Sequence, residues 1–173
     1  MSIRGRSYRY VGPGALFGLV RPGRVGRSIR SAADLREWAS VLGAAEAVEP
    51  FTYVVDAAGV LRCAPRRSEH VVCAGGAAVL AAGEMSLREE AGRWVVEEVS
   101  NQSTGYCPDV DSWPAVADAL GAAAIEHPPG FTHAVVFRRC PACGELNIVR
   151  EEYFVCVFCD GALPEVWNVA PSE

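Results

Sequence analysis

Residues 139–161 read RCPACGELNIVREEYFVCVFCDG. Two CxxC pairs, Cys140/Cys143 and Cys156/Cys159, stand with twelve residues between them. Cysteines at i and i+3 on a tight turn aim both sulfurs at one ion. Gly144 and Gly161 sit just beyond the two pairs, where the chain must bend so that backbone amides face the sulfurs. Two such knuckles complete a tetrahedral thiolate site, the pattern of a zinc ribbon. An iron site of rubredoxin type is the alternative. Four thiolates leave no open coordination position, so the expected zinc is structural and braces a tail too small for its own core. The intervening ELNIVREEYFV reads as a hairpin with Arg150, Glu151 and Glu152 at its tip.

The other three cysteines are Cys63, Cys73 and Cys107. An odd total of seven, with CxxC pairs, suits reduced thiols and a metal better than a disulfide framework. No apolar run reaches the ~18 residues of a membrane span. The nearest, VGPGALFGLV, is broken by glycine and proline, and no cleavage pattern follows it. These features predict a cytoplasmic protein that does not meet the membrane.

Charge is uneven along the 173 residues. Residues 1–33 hold seven arginines and no acid, whereas the rest hold nine arginines and 21 acids. There is no lysine. An arginine arm can bind nucleic acid or fold onto the chain's own acidic surface. The sequence pI of 5.3 and the acids of the ribbon (Glu145, Glu151, Glu152, Asp160, Glu165) argue against nucleic acid as the partner.

Outward from the cysteine clip, the chain reads as α+β: antiparallel β-hairpins and two helices, followed by the C-terminal zinc ribbon. Residues 1–30 are expected to be a basic Gly/Arg/Pro-rich arm, 31–136 the body, and 137–168 the ribbon. Ser31 caps a helix with Asp34 at N3. Leu35, Trp38, Ala39 and Leu42 repeat at helical spacing until Gly43. Asp56–Gly59 turns one hairpin, and Glu89–Gly92 turns a second between strands 78–88 and 93–100. Ser112 is expected to cap a helix from Trp113 to about Ala124, and 131–138 to form a strand entering the clip.

The middle of the chain carries the candidate site. HVVCAGGAAVLAAGE (70–84) and SNQSTGYCPD (100–109) flank the second hairpin at one end, which gathers His70, Glu84, Asn101, Ser103 and Tyr106. These are candidate ligand-binding residues, with Arg66 and Arg67 nearby for an anionic ligand. His70 and Glu84 are also candidate catalytic acid/base groups. The competing reading is turn chemistry at 101–108 and a structural histidine. A second metal site from His70, Cys73, Cys107 and Glu84, or Cys107 as a nucleophile beside His70, is a further alternative. Cys63 reads as packing.

The run APRRSEHVVCAGG…VLAAGEM…VSNQSTGYCPD…FRRCPACG…VCVFC…LPEVWN, within residues 51–168, resembles a group of uncharacterised bacterial proteins that end in a zinc ribbon. The middle is also similar to an SGHY-type module of plant calmodulin-binding IQ-motif proteins and toxin-like C-terminal regions. It matches at His70, Gly75, Gly76, Ala82, Gly83, Ser103, Tyr106 and Pro108. Val71 and Val72 stand where that module has serines, Cys73 where it has an aromatic residue, and Gly105 where it has a second histidine. The resemblance implies a fold and a site location and no reaction. The expected function is recognition of a small molecule or a partner-protein segment. The alternatives are a hydrolase or group transferase using His70 and Glu84, and nucleic-acid binding by the arm.

Overall fold

The computed structural model describes residues 5–170. Arg4 of the expected arm lies outside them. The helices are α1 (Gly14–Phe17), α2 (Ala32–Leu42), α3 (Ala44–Ala47), α4 (His70–Cys73) and α5 (Trp113–Ala122). The strands are β1 (Arg27–Ile29), β2 (Phe51–Asp56), β3 (Leu61–Ala64), β4 (Val79–Glu90), β5 (Arg93–Val99), β6 (Val136–Arg139) and β7 (Leu146–Val149). The first five form one antiparallel sheet in the order β1-β3-β2-β4-β5, and β6 pairs with β7 alone.

α2 forms as its sequence predicts. Ser31 Oγ accepts from the Asp34 amide at 3.1 Å, and Gly43 stops the helix at φ 89°. Such a cap satisfies one of the helix's unpaired N–H groups, worth about 1 kcal/mol. The Asp34 carboxylate accepts from Arg30 N, one residue before the cap, so the capping box is displaced. Leu35, Trp38 and Ala39 then bury against the sheet.

The β2–β3 turn is held by Asp56, whose carboxylate accepts from the Ala58 and Val60 amides and from Arg62 Nε. The β4–β5 turn is tighter than expected. Glu89 and Glu90 belong to β4, and only Ala91 and Gly92 turn, both at positive φ. That pair of conformations matches the right-handed twist of a two-residue hairpin.

Alternation along β2 splits the core across the sheet. Phe51, Tyr53 and Val55 face one cluster, to which α2 and α5 contribute. Val54 faces a second, with Ala82, Val71, Cys73, Tyr8 and Tyr106. Residues 5–30 are largely irregular, as expected, and they are tied to the body. Tyr8 is 2% exposed and exchanges two backbone hydrogen bonds with Val79. β1 lengthens the sheet at β3. Arg6 pairs with Asp109 at 3.3 Å, and Arg27 with Glu37, so these arginines do meet the chain's own acids.

Three local expectations change. Ser112 does not cap α5: Asp109 accepts from Val110 N and opens a 3₁₀ turn, Val110–Ser112, that runs into the helix. An acid three residues earlier supplies the acceptor. The strand expected over 131–138 shrinks to Val136–Arg139, because residues 131–135 meet the end of β5 only through Thr132 and His133, which bond to Val99 and form one parallel bridge, Ser100 to His133, without a continuing ladder. β7 pairs with β6 across the first knuckle, whereas the chain beyond the Glu151–Glu152 turn bridges to Ala162.

Gly83 decides whether the body closes. A Cβ there would lie 2.0 Å from Ser100 O and 3.1 Å from Asn101 Cα. Only glycine lets residues 100–101 cross β4 this closely. Gly121, in the last turn of α5, is open: a Cβ placed on it would meet nothing within 4 Å. Gly83→Ala is expected to cost about 1–3 kcal/mol or more, and Gly121→Ala to gain up to ~1 kcal/mol. Urea unfolding of the two variants checks both signs.

Candidate metal centre and neighbouring site residues

The sulfurs of Cys140, Cys143, Cys156 and Cys159 all lie within 4.8 Å of one another. Cys140 to Cys159 and Cys143 to Cys156 are each 3.6 Å. A disulfide needs about 2.05 Å. A tetrahedron of 2.3 Å metal–sulfur bonds has edges of about 3.8 Å. The spacing therefore fits four thiolates around one ion, and the donor set suits a soft or borderline metal.

The knuckle backbone supports charged sulfur. Phe158 N and Asn147 Nδ2 each donate to Cys156 Sγ at 3.4 Å. Asn147 Oδ1 accepts from Val157 N, which fixes the amide's orientation. Desolvation pushes the Cys156 thiol up, but the hydrogen bonds from Asn147, Phe158 and Cys159 outweigh it and bring the pKa down to about 6. Such outer contacts orient ligands and tune a metal site. Asn147 carried no signal in the sequence reading, although a buried asparagine between two knuckles is the residue type that can face a sulfur.

The candidate residues of the middle segment go to different places. Asn101 is fully buried and uses its whole amide: Nδ2 donates to Pro108 O at 3.0 Å and Val135 O at 2.7 Å, and Oδ1 accepts from Val135 N at 2.6 Å. Ser103 Oγ accepts from Tyr106 N. The Tyr106 hydroxyl donates to Ala77 O at 2.8 Å. His70 Nε2 donates to Gly83 O at 2.8 Å, which puts its proton on Nε2, and burial lowers its pKa. Glu84 instead faces an open cleft of about 310 Å³, together with Ser86, Glu98, Ser100, Gln102, Thr132 and His133. His70, Asn101, Ser103 and Tyr106 do not line that cleft. His70 and Glu84 thus share no cavity there for joint acid/base work.

The remaining thiols are closed off. Burial pushes both Cys73 and Cys107 up to about 12 and raises Cys63 well above the usual thiol value. Buried neutral thiols are poor nucleophiles. Among the described residues the four ribbon cysteines are the one group of Cys, His, Asp or Glu spaced to hold a metal, so His70, Cys73 and Cys107 do not form a second.

Polar contacts brace the four-cysteine segment within itself and tie it to the body at Trp167. Asn168 brackets Arg139, donating to its carbonyl at 2.7 Å and accepting from its amide at 2.8 Å. Arg138 is 6% exposed and donates to Phe137 O, Pro164 O and Glu165 O. Trp167 Nε1 donates to Cys107 O at 2.8 Å. Asn101 holds Val135, at the entrance to β6. A small cluster of Cys107, Val135, Phe137 and Val169 fills the space between.

Comparison with known proteins finds no match among family models, curated proteins or solved structures.

Asn101→Ala strands three buried groups, each worth about 1–3 kcal/mol, so a loss of about 3 kcal/mol or more is expected in chemical unfolding, with no ligand present. His70 supplies a pH test. Its folded pKa lies below the unfolded value of about 6.5, so its stabilising contribution is present above that pH and is lost as pH falls through the folded pKa. His70→Gln keeps a donor for Gly83 O. Stability measured from pH 7 downward is expected to fall less steeply in this variant than in the parent below about 6.5.

Proposed function

We propose that this chain is a cytoplasmic recognition protein whose C-terminal ribbon holds one structural zinc. The convergence of four sulfurs to within 4.8 Å carries the zinc half of the reading. Zinc is favoured because it takes tetrahedral thiolate sites without redox chemistry. A closed four-thiolate site offers no position to a substrate, so zinc acts here through the fold. Its knuckles anchor strands that Arg138 and Asn168 brace against the C-terminal tail and that Trp167 ties to the body.

The open cleft at Glu84 supports the recognition half. Its volume, about 310 Å³, suits a small molecule or one side chain of a partner segment. It lies on the sheet, a rigid platform for a binding site. A reducing compartment agrees with three buried free cysteines outside the ribbon. Among the described residues no helix is long and apolar enough to cross a membrane.

Native mass spectrometry is expected to find one zinc per chain. Metal binding requires deprotonated sulfur, so acidification should release it. Removing it with a chelator should cost at least ~3 kcal/mol, about 6–12 °C in Tm for a chain of this size. Two bound zincs, or none with an unchanged Tm, would contradict the reading.

A further inference from the structure

One stretch of the sheet faces an open cleft, where residues 84–86 of β4 pair with 98–100 beside the start of β2. Antiparallel pairing sets Ser86 opposite Glu98, and Ser100 N donates to Glu84 O, which sets Ser100 opposite Glu84. Residues opposite one another in a ladder share a face. Glu84, Ser86, Glu98 and Ser100 therefore project to one side, where the apolar cover of Val54 and Ala82 has ended. A β-bulge between Ser86 and Leu87 lies beside them, a feature that often re-aims side chains next to sites.

Two facts give this groove a chemical preference. First, Glu84 and Glu98 are diagonal neighbours, roughly 7–8 Å apart at the backbone. Neither carboxylate has an arginine partner or a side-chain hydrogen bond among the described residues, as holds for most of the chain's acids. Two like charges on one face repel unless a cation comes between them. Second, Ser86 is 2% exposed, lines the groove, and its hydroxyl has no hydrogen-bond partner among the described residues. Ser86 is therefore a polar group at the groove wall that is available to an entering donor. Ser100 fixes the floor, its Oγ accepting from the Glu84 and Gln102 amides at 3.2 Å.

A bare metal ion fits poorly: Glu84, Glu98 and His133 are not gathered as the four cysteines are. A larger cation with several N–H donors does fit. Resting on the recognition reading above, we infer that this groove binds an organic cation. Its ammonium or guanidinium group sits between the Glu84 and Glu98 carboxylates and donates to Ser86 Oγ. Charge-assisted bonds of this kind are about twice as strong as neutral ones. The cation has two possible sources, a free amine or a basic side chain of a peptide.

The test is amide chemical-shift mapping on the zinc-loaded full chain. The probes are agmatine and spermidine as free amines, an acetylated Gly-Arg-Gly amide as the peptide source, and a neutral acetylated Gly-citrulline-Gly amide (the citrulline probe) and anionic citrate as counter-probes. The expected result is saturable shifts confined to residues 84–86 and 98–102 with the cationic probes only. The better binder of agmatine and the peptide identifies the source. Glu84→Gln and Glu98→Gln keep the shape and should each weaken binding about tenfold or more, the effect of losing one charged hydrogen bond. Ser86→Ala should weaken it less. Shifts at the same residues from citrulline or citrate alone would overturn the cation and leave the groove as a recognition site. No probe shifting these residues would overturn both. Unchanged binding of the cations in Glu84→Gln/Glu98→Gln would overturn the seating.

Discussion

Cysteine sulfurs 3.6 Å apart repel as thiolates and are wasted as thiols unless a cation joins them. That constraint governs the chain after Arg139. The β6–β7 hairpin has four residues in each strand, and its own cluster is Cys140, Val149, Cys156 and Leu163, half of it sulfur. Two short strands with so little apolar surface do not stand alone in water. A metal held by the four cysteines would supply what the missing core cannot. The amides of Phe158 and Asn147 are already aimed at Cys156 before any ion is considered.

The four-cysteine segment meets the body's polar loop. Residues 101–108 are a junction, because Asn101 grips Val135 on the way into β6 and Cys107 O receives Trp167 on the way back. Tyr106 extends this junction into the second core cluster through Ala77. The same loop leaves the neighbouring surface of β4 and β5 uncovered. The polar groove at Glu84 lies where the junction ends, so Asn101 and Ser100 stand between the four-cysteine cluster and the groove.

Much of this was legible in the amino acids. α2 was legible because a serine cap, an apolar stripe and a terminal glycine all agree. Both body hairpins were legible because Asp56–Gly59 and Gly92 supply residues that turns favour, although the second turn is shorter than the expected Glu89–Gly92. The gathering of the four cysteines was legible because CxxC spacing is a geometric statement. The misreadings share a cause. FTHAVVFR alternates like a strand, but whether it finds a strand partner is a tertiary matter, and for residues 131–135 Asn101 and a single bridge take that place. His70 reads as a strand end and forms one helical turn, since Glu69 O accepts from the Val72 and Cys73 amides. At the site, Glu84 was legible and its neighbours were not. Glu84-x-Ser86 and Glu98-x-Ser100 carry a period-two polar signal inside apolar strands. That signal marks one open face, but which face is open depends on where the 101–108 loop travels.

The central claim is that the four-cysteine centre holds the C-terminal part of the chain and, through Asn101, the junction with the body. Hydrogen–deuterium exchange of the metal-loaded and metal-stripped protein tests it most directly. The account predicts that stripping the metal opens the amides from Val135 to Val169 and those of residues 101–107, while β2, β4 and α2 keep their protection. Unchanged exchange across 135–169 after the metal has left would contradict it.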